Sequence, residues 1–362
     1  MTRRMRMPVQ QIAVGDAGSV TTQRVGVFLK WGVSAAQAPR RRPVGRVQSG
    51  AHPEYVTGSF TSRSDDRKDT MRVLVTGAQG KVGSAVVAAV TAEGHDVSAT
   101  DVGRHSFDRP EPGEPAYQQA DLTSAGDAFA VVRGHDAVVH AAALPEPTHN
   151  PPHVVFQNNV MATFNVLEAA VRFGVGRFVN LSSETAPGFF FPERPFLPDY
   201  VPVDEAHPLR PQDPYALSKQ FSELMMDAAV RRSDIRCISI RPSWVQHAGN
   251  YERNLGPQVR DESVLSPNLW SYVDVLDLAD AIVLAAESDL PGHEVFYIAS
   301  PDNVGGRDFA ALVRKYYGDA IEVRALPRVD ASGITCAKAE RMLGYQPKRS
   351  WRDYLDESGH SR

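Results

Sequence analysis

The stretch PYALSKQ, residues 214 to 220, places a phenol and a primary amine four positions apart, at Tyr215 and Lys219. On a helix that spacing puts both side chains on one face. A free tyrosine has a pKa of about 10 and is a poor base at neutral pH. A neighbouring ammonium favours the phenolate, so the pair could take a proton from a substrate hydroxyl or return one. Spacing alone does not establish this. With 11 Tyr and 7 Lys in the chain, Tyr-x-x-x-Lys arises by chance roughly 0.2 times.

A second stretch, VLVTGAQGKVGSAV, carries Gly77, Gly80 and Gly83 as G-x-x-G-x-x-G between an apolar β-branched run and a helical pattern. At such a turn the backbone of Gly77, Gln79, Gly80, Lys81, Val82 and Gly83 can cradle a dinucleotide pyrophosphate against a helix N-terminus. Asp101 ends the next strand, HDVSATD, 24 residues after Gly77. A carboxylate there accepts from adenosine ribose hydroxyls and repels a 2′-phosphate, which favours NAD over NADP. Arg104 is close enough in sequence to keep NADP open, and the bland alternative is a plain turn with a loop-capping aspartate.

The elements that must position these residues begin at Met71. MRVLVTG, HDVSATD, DAVVHAAA, VGRFVNLSS and IRCISIRP read as strands. Between them KVGSAVVAAVTAEGH, TSAGDAFAVVRGH, HVVFQNNVMATFNVLEAAVRFG and DPYALSKQFSELMMDAAVRR read as helices. Repeated β-α-β units predict an α/β fold: a Rossmann-type doubly wound parallel sheet with helices on both faces. Irregular Pro-rich stretches at 183–212 and 247–268 have the length of functional loops or a substrate lid. The expected organisation is an extension over 1–70, a cofactor-binding domain with the catalytic residues over 71–241, and a smaller substrate lobe with returning Rossmann elements over 242–355.

Composition bounds the function. The chain of 362 residues is 42% hydrophobic and 23% charged, ordinary for a globular protein. No apolar run reaches the roughly 18 residues of a membrane span. A net charge of −4 leaves no footprint for nucleic acid. Two cysteines, Cys237 and Cys336, make no disulfide framework and fit a reducing cytoplasm. Residues 1–70 carry 12 Lys+Arg against 5 Asp+Glu, whereas the remainder carries 27 against 38. This basic segment, lacking periodicity apart from a short apolar piece at 26–34, reads as a disordered or spurious extension rather than a targeting peptide.

Taken in order, VTGAQGKVG, Asp101, Asp121-Leu122, HAAA, NNV, SSE, YALSK, RPS and YVDVLDLADAI resemble the extended short-chain dehydrogenase/reductases, specifically the NAD-dependent epimerase/dehydratase family. The resemblance covers about residues 71–355. It implies that Asp121 and Leu122 border the adenine and that Ala141 and Ala142 line the cofactor. Asn159 would be the helix asparagine near the active site. For Asp121 a helix-capping role, and for Asn158 and Asn159 a polar interruption of a helix, stay open. The resemblance also makes Ser183 the catalytic hydroxyl, with Ser182 one position away as the alternative. Tyr215 becomes the base or acid, and Lys219 its tuner and a contact to the nicotinamide ribose.

The resemblance further implies an NAD-dependent oxidoreductase or epimerase working at a carbinol of a sugar, sugar acid or nucleotide sugar. It implies a homodimer formed through helices 153–173 and 213–232. Gln246 and His247 stand where Tyr-Gly is frequent in the family, Asp274 where His is frequent, and only 17 residues separate Asn254 from Tyr272. These departures point away from a nucleotide-sugar grip and toward a smaller substrate, as in the compact uronate dehydrogenases. The competing readings are a non-catalytic dinucleotide-binding redox sensor, disfavoured because Tyr215 and Lys219 are both present, and an NADPH-dependent carbonyl reductase. His135, His140, His149, His153 and His207 show no metal-ligand pattern and read as structural or loop residues.

Overall fold

In the computed structural model the chain divides into two compact units, Met1–Asp65 and Asp66–Arg362. The structure describes residues 70–103 and 114–362, together with two short strands, Val9–Gln10 and Arg24–Val25, which pair antiparallel. The expectations for residues 1–69 and for Arg104 lie outside the described residues.

The second unit is built on seven strands: β1 (Arg72–Thr76), β2 (Asp96–Asp101), β3 (Ala116–Gln119), β4 (Ala137–His140), β5 (Arg177–Leu181), β6 (Arg236–Pro242) and β7 (His293–Ile298). Their order across the sheet is β3-β2-β1-β4-β5-β6-β7, and every pairing is parallel. Helices α1 (Lys81–Ala92), α2 (Ala125–Val132), α3 (Pro152–Phe173) and α4 (Pro214–Val230) are the crossovers. The sheet is thus the doubly wound one the sequence predicts. β3, AYQQ, is the strand the sequence pattern does not predict: it has one neighbour, β2, and only half-buried or exposed positions, so no apolar run marks it.

Strand alternation supplies both faces. Val73 and Val75 enter a core with Val86, Val90, Leu278 and Ile282 on one side. Leu74 and Val138 face Val166, Phe178 and Met226 on the other. Burying each such side chain contributes about 1.5–3 kcal/mol. The chain winds outward from β1 to β3, then restarts at β4 and winds the opposite way. That reversal opens a crevice at the carboxyl ends of β1 and β4, where doubly wound sheets bind ligands.

Beyond β6 come α5 (Tyr251–Asn254), α6 (Gly256–Arg260), α7 (Val275–Glu287), α8 (Phe309–Tyr317) and α9 (Ala337–Leu343). β7 and α7 return to the main sheet; most of the rest joins the loop after β5 in a separate core containing Phe189, Tyr251, Trp270, Phe309 and Trp351. Two of the family departures, Asp274 and Gln246, anchor this lobe. Asp274 caps α7 at the Leu276 amide and accepts the Tyr251 hydroxyl at 2.8 Å. Gln246 accepts from Asn254 at 2.9 Å. Both tie α5 to the short parallel pair of Val245–Gln246 with Val273–Asp274.

Candidate active site

The crevice is shaped by glycines at contact distance. Gly77 has φ +66°, and a Cβ there would stand 2.7 Å from the Ala142 nitrogen and 2.8 Å from the Ala141 carbonyl carbon. A Cβ at Gly83 would lie 2.0 Å from the Gly77 oxygen. Close strand-to-loop and helix-to-loop packing therefore requires glycine at both positions. Gly80 is the N-cap of α1 and has no side chain to cap it, so the first-turn N–H groups of Lys81, Val82 and Gly83 remain available to an anion.

Asp101 closes the outer side. Its Oδ2 accepts the Gln79 amide at 3.0 Å and its Oδ1 the Val102 amide at 2.7 Å. The carboxylate is thereby held against the phosphate loop, with lone pairs left for ribose hydroxyls. Lys81 reaches the Val245 carbonyl at 3.5 Å; burial first, and then the nearby Arg253, hold its ammonium below the usual lysine range. Asp121 commits Oδ1 to the Thr123 amide and hydroxyl, the local turn role an aspartate also fills. Leu122 is buried in the helix-side core. Ala141 and Ala142 form the opposite lip, their amides bonded to Thr76. This cradle fits a dinucleotide: a backbone-lined anion site, room enforced by glycine, and an acid at the strand end.

Asn159 is a clamp rather than a passive interruption of α3. Its amide accepts from Leu144 N at 2.8 Å and donates to Leu144 O at 3.1 Å and to the Ser218 hydroxyl at 3.2 Å. The loop after β4 and helix α4 are thereby tied through one buried side chain. His140 bridges Thr76 at 2.9 Å and Thr163 at 3.1 Å; burial, then Lys219, lowers it to about 3, so it stays neutral.

Helix α4 starts with Asp213 as N-cap, accepting the Ala216 amide at 2.9 Å, and Pro214 at the first helical position, both strong start signals. Tyr215 and Lys219 therefore sit in its first two turns, facing the carboxyl end of β5. There the two serines separate. Ser182 donates to Glu223 Oε1 at 2.6 Å, and Glu223 is held by Arg241 at 2.8 and 2.7 Å; Ser182 is spent in that buried ion pair. Ser183 instead accepts from the Thr185 amide at 3.1 Å and the Thr185 hydroxyl at 3.0 Å. Ser183 is also paired with the Tyr215 phenol, which it pulls toward the ionised form.

Tyr215 is buried, and that burial pushes its phenol up to about 12; the Ser183 bond pulls it down, while Glu184 and Asp213 push it further up. Lys219 donates to the Leu181 carbonyl at 2.7 Å and stands 5.5 Å from the Tyr215 ring centre. Burial lowers Lys219 to about 8, against a raising influence from Glu223. One further array has the geometry of a hydrolase triad: Asp227, His293 and Ser239, linked at 2.8 and 2.8 Å. Ser239 is fully buried within β6, out of reach of any substrate.

Residues 73–299 match the family model described as the NAD dependent epimerase/dehydratase family. A UDP-glucose 4-epimerase of Corynebacterium glutamicum is 26% identical over 77% of this chain and 92% of its own length. A 3-beta-hydroxysteroid dehydrogenase of Mycolicibacterium neoaurum is 29% identical over 77% of each chain. Among solved structures, a short-chain dehydrogenase/reductase superfamily protein of Agrobacterium tumefaciens with bound NAD superposes with TM-score 0.59 at 25% identity, over 80% of this chain and 96% of that one. The matched span runs from the phosphate loop through the Ser183, Tyr215 and Lys219 elements to the end of β7, and the chain belongs to the NAD-dependent epimerase/dehydratase family of extended short-chain dehydrogenase/reductases.

Proposed function

We propose that this NAD-dependent enzyme transfers hydride at a carbinol of a sugar-like substrate, with Ser183, Tyr215 and Lys219 handling the proton. The observation that carries this reading is the buried Tyr215, with Ser183 paired to its phenol and the Lys219 ammonium 5.5 Å from its ring centre. Bound NAD supplies the hydride acceptor and, when oxidised, a positive charge. Ser183 orients the carbinol oxygen toward Tyr215, which takes its proton. Lys219 favours the phenolate and is placed to reach the nicotinamide ribose. In the cradle, Gly77, Gln79, Gly80, Lys81, Val82 and Gly83 hold the pyrophosphate, and Asp101 holds the adenosine ribose. Asp121 and Leu122 border the adenine, Ala141 and Ala142 line the cofactor, and Asn159 fixes the surrounding loop.

Residues 71–241 carry this chemistry, and 242–355 cover the substrate. A smaller sugar or sugar acid suits the short segment between Asn254 and Tyr272. The test is a melting-temperature screen with NAD over sugars, sugar acids and nucleotide sugars, because a ligand of the native state raises its melting temperature. Stoichiometry then separates the outcomes: net reduced cofactor means dehydrogenase, turnover with unchanged NAD means epimerase.

A second reading, an alcohol or carbonyl oxidoreductase for an apolar substrate, is favoured by the steroid dehydrogenase relative and by partly exposed Phe191, Trp244 and Leu265. The proposed assembly is a homodimer through α3 and α4, whose outer faces expose Met161, Phe164, Phe221 and Leu224, an apolar patch of the kind that marks interfaces. The proposed compartment is the cytoplasm, supported by two free buried thiols, Cys237 and Cys336. Among the described residues no helix is long and apolar enough to cross a membrane.

A further inference from the structure

Glu184 follows Ser183 directly and is 7% exposed, yet the proton transfer above does not use it. Its backbone N–H is fixed to the Pro242 carbonyl at 3.1 Å, and its Oε2 accepts the Ser243 hydroxyl at 2.7 Å. Both anchors lie at the carboxyl end of β6, so the residue bridges the carboxyl ends of β5 and β6. Oε1 bonds no other described residue, and it is not among the buried polar atoms sealed without a partner. It therefore keeps access to open space. A charge on Glu184 would raise the Tyr215 phenol, so the carboxyl lies within electrostatic range of it.

An ionised carboxylate with one hydrogen bond would be costly at this burial. Accordingly burial drives the Glu184 carboxyl well above the ordinary glutamate range, with the Ser243 bond only partly opposing it. Burial therefore favours the neutral carboxylic acid, a form able to donate and accept at once. A neighbouring hydroxyl of a substrate whose carbinol sits at Ser183 and Tyr215 meets both capacities.

We propose that Glu184 is a specificity-determining residue of this site, binding through Oε1 a second substrate oxygen adjacent to the carbinol and so selecting vicinal diols over lone alcohols. Ser243 is the residue that positions it. This inference rests on the proposed hydride transfer and names the substrate feature that the site reads.

The experiment measures NAD-dependent oxidation of cyclohexanol and of cis-1,2-cyclohexanediol by the full chain, comparing wild type with Glu184→Leu, Glu184→Gln and Ser243→Ala. One well-made hydrogen bond corresponds to about a tenfold preference in kcat/KM. The wild type should favour the diol by about that factor, expressed mainly in KM. Glu184→Leu should bring the diol-to-alcohol ratio close to one, Glu184→Gln should keep most of it, and Ser243→Ala should fall between. The melting-temperature rise with NAD identifies folded variants. A wild type that oxidises both probes with a ratio unmoved in folded Glu184→Leu or Ser243→Ala overturns the Glu184 assignment alone. A wild type that oxidises neither probe, nor any member of the sugar panel, overturns the hydride-transfer reading and this inference with it.

Discussion

The Lys219 ammonium donates to the Leu181 carbonyl at 2.7 Å while standing 5.5 Å from the centre of the Tyr215 ring. A carbonyl from the end of β5 thus holds a helix-borne cation near the Tyr215 ring. The same strand end delivers Ser183 two residues later, so one short segment sets both partners of Tyr215.

Removing that cation should move the pH dependence in a defined direction. A nearby positive charge favours the phenolate, so Lys219→Gln raises the Tyr215 pKa. In the oxidation direction the active form of Tyr215 is the phenolate. The acidic limb of the kcat/KM profile should therefore shift upward by about 1 pH unit or more, with a lower plateau. A limb that stays in place would show that Lys219 does not tune the phenol.

Asp101 should decide between the two nicotinamide cofactors. Its carboxylate is fixed by the Gln79 and Val102 amides. Asp101→Ala removes ribose hydrogen bonds worth about 1.5–3 kcal/mol and the repulsion of a 2′-phosphate. NAD affinity measured by titration calorimetry should fall at least about tenfold, while NADP affinity rises or holds. An unchanged NAD to NADP ratio would contradict the assigned role.

The buried Glu184 carboxyl should also leave a signature in stability. Its native pKa is raised, whereas a glutamate in the unfolded chain titrates near 4.3. Between those values the native state holds a proton that the unfolded chain has lost. The stabilisation is complete below about pH 4.3 and is lost as pH rises through the native value. Glu184→Gln removes this dependence, so its melting temperature should gain on wild type by roughly 2–4 °C or more between acid and neutral pH. A constant difference across that window would show that Glu184 is ionised in the fold.

Association should depend on the outer face of α3 and α4. Phe221 meets Phe156 edge-on with ring centres 5.5 Å apart, and Leu224 is 54% exposed one turn further along α4. Leu224→Arg sets a charge in the middle of that patch. It should convert a dimer into a monomer in light scattering at unchanged helix content. A dimer that survives Leu224→Arg and Phe221→Arg would place the interface elsewhere.

The phosphate loop, Asp101, the β-α-β order and the Tyr215–Lys219 pair were legible because each rests on local signals: glycines at a turn, an acid at a strand end, a helical period. The different surroundings of Ser182 and Ser183 were not, because Glu223, which takes the Ser182 hydroxyl, lies 41 residues away in sequence and is itself held by Arg241. Asn159 could be read as a plain polar interruption until its clamp on Leu144 was seen. β3 escaped because an edge strand covered on one side needs no apolar run. Glu184 carries no sequence signal of its own; burial and the Ser243 bond give it meaning.

The most direct measurement is turnover of Tyr215→Phe with NAD and the substrate that gives the largest melting shift. The phenylalanine keeps the ring and loses only the hydroxyl that Ser183 and the substrate oxygen share. Activity should drop by about 10²–10⁴-fold, while the NAD-induced rise in melting temperature is retained. Full turnover by this variant would contradict the assignment of Tyr215 as the group that moves the proton.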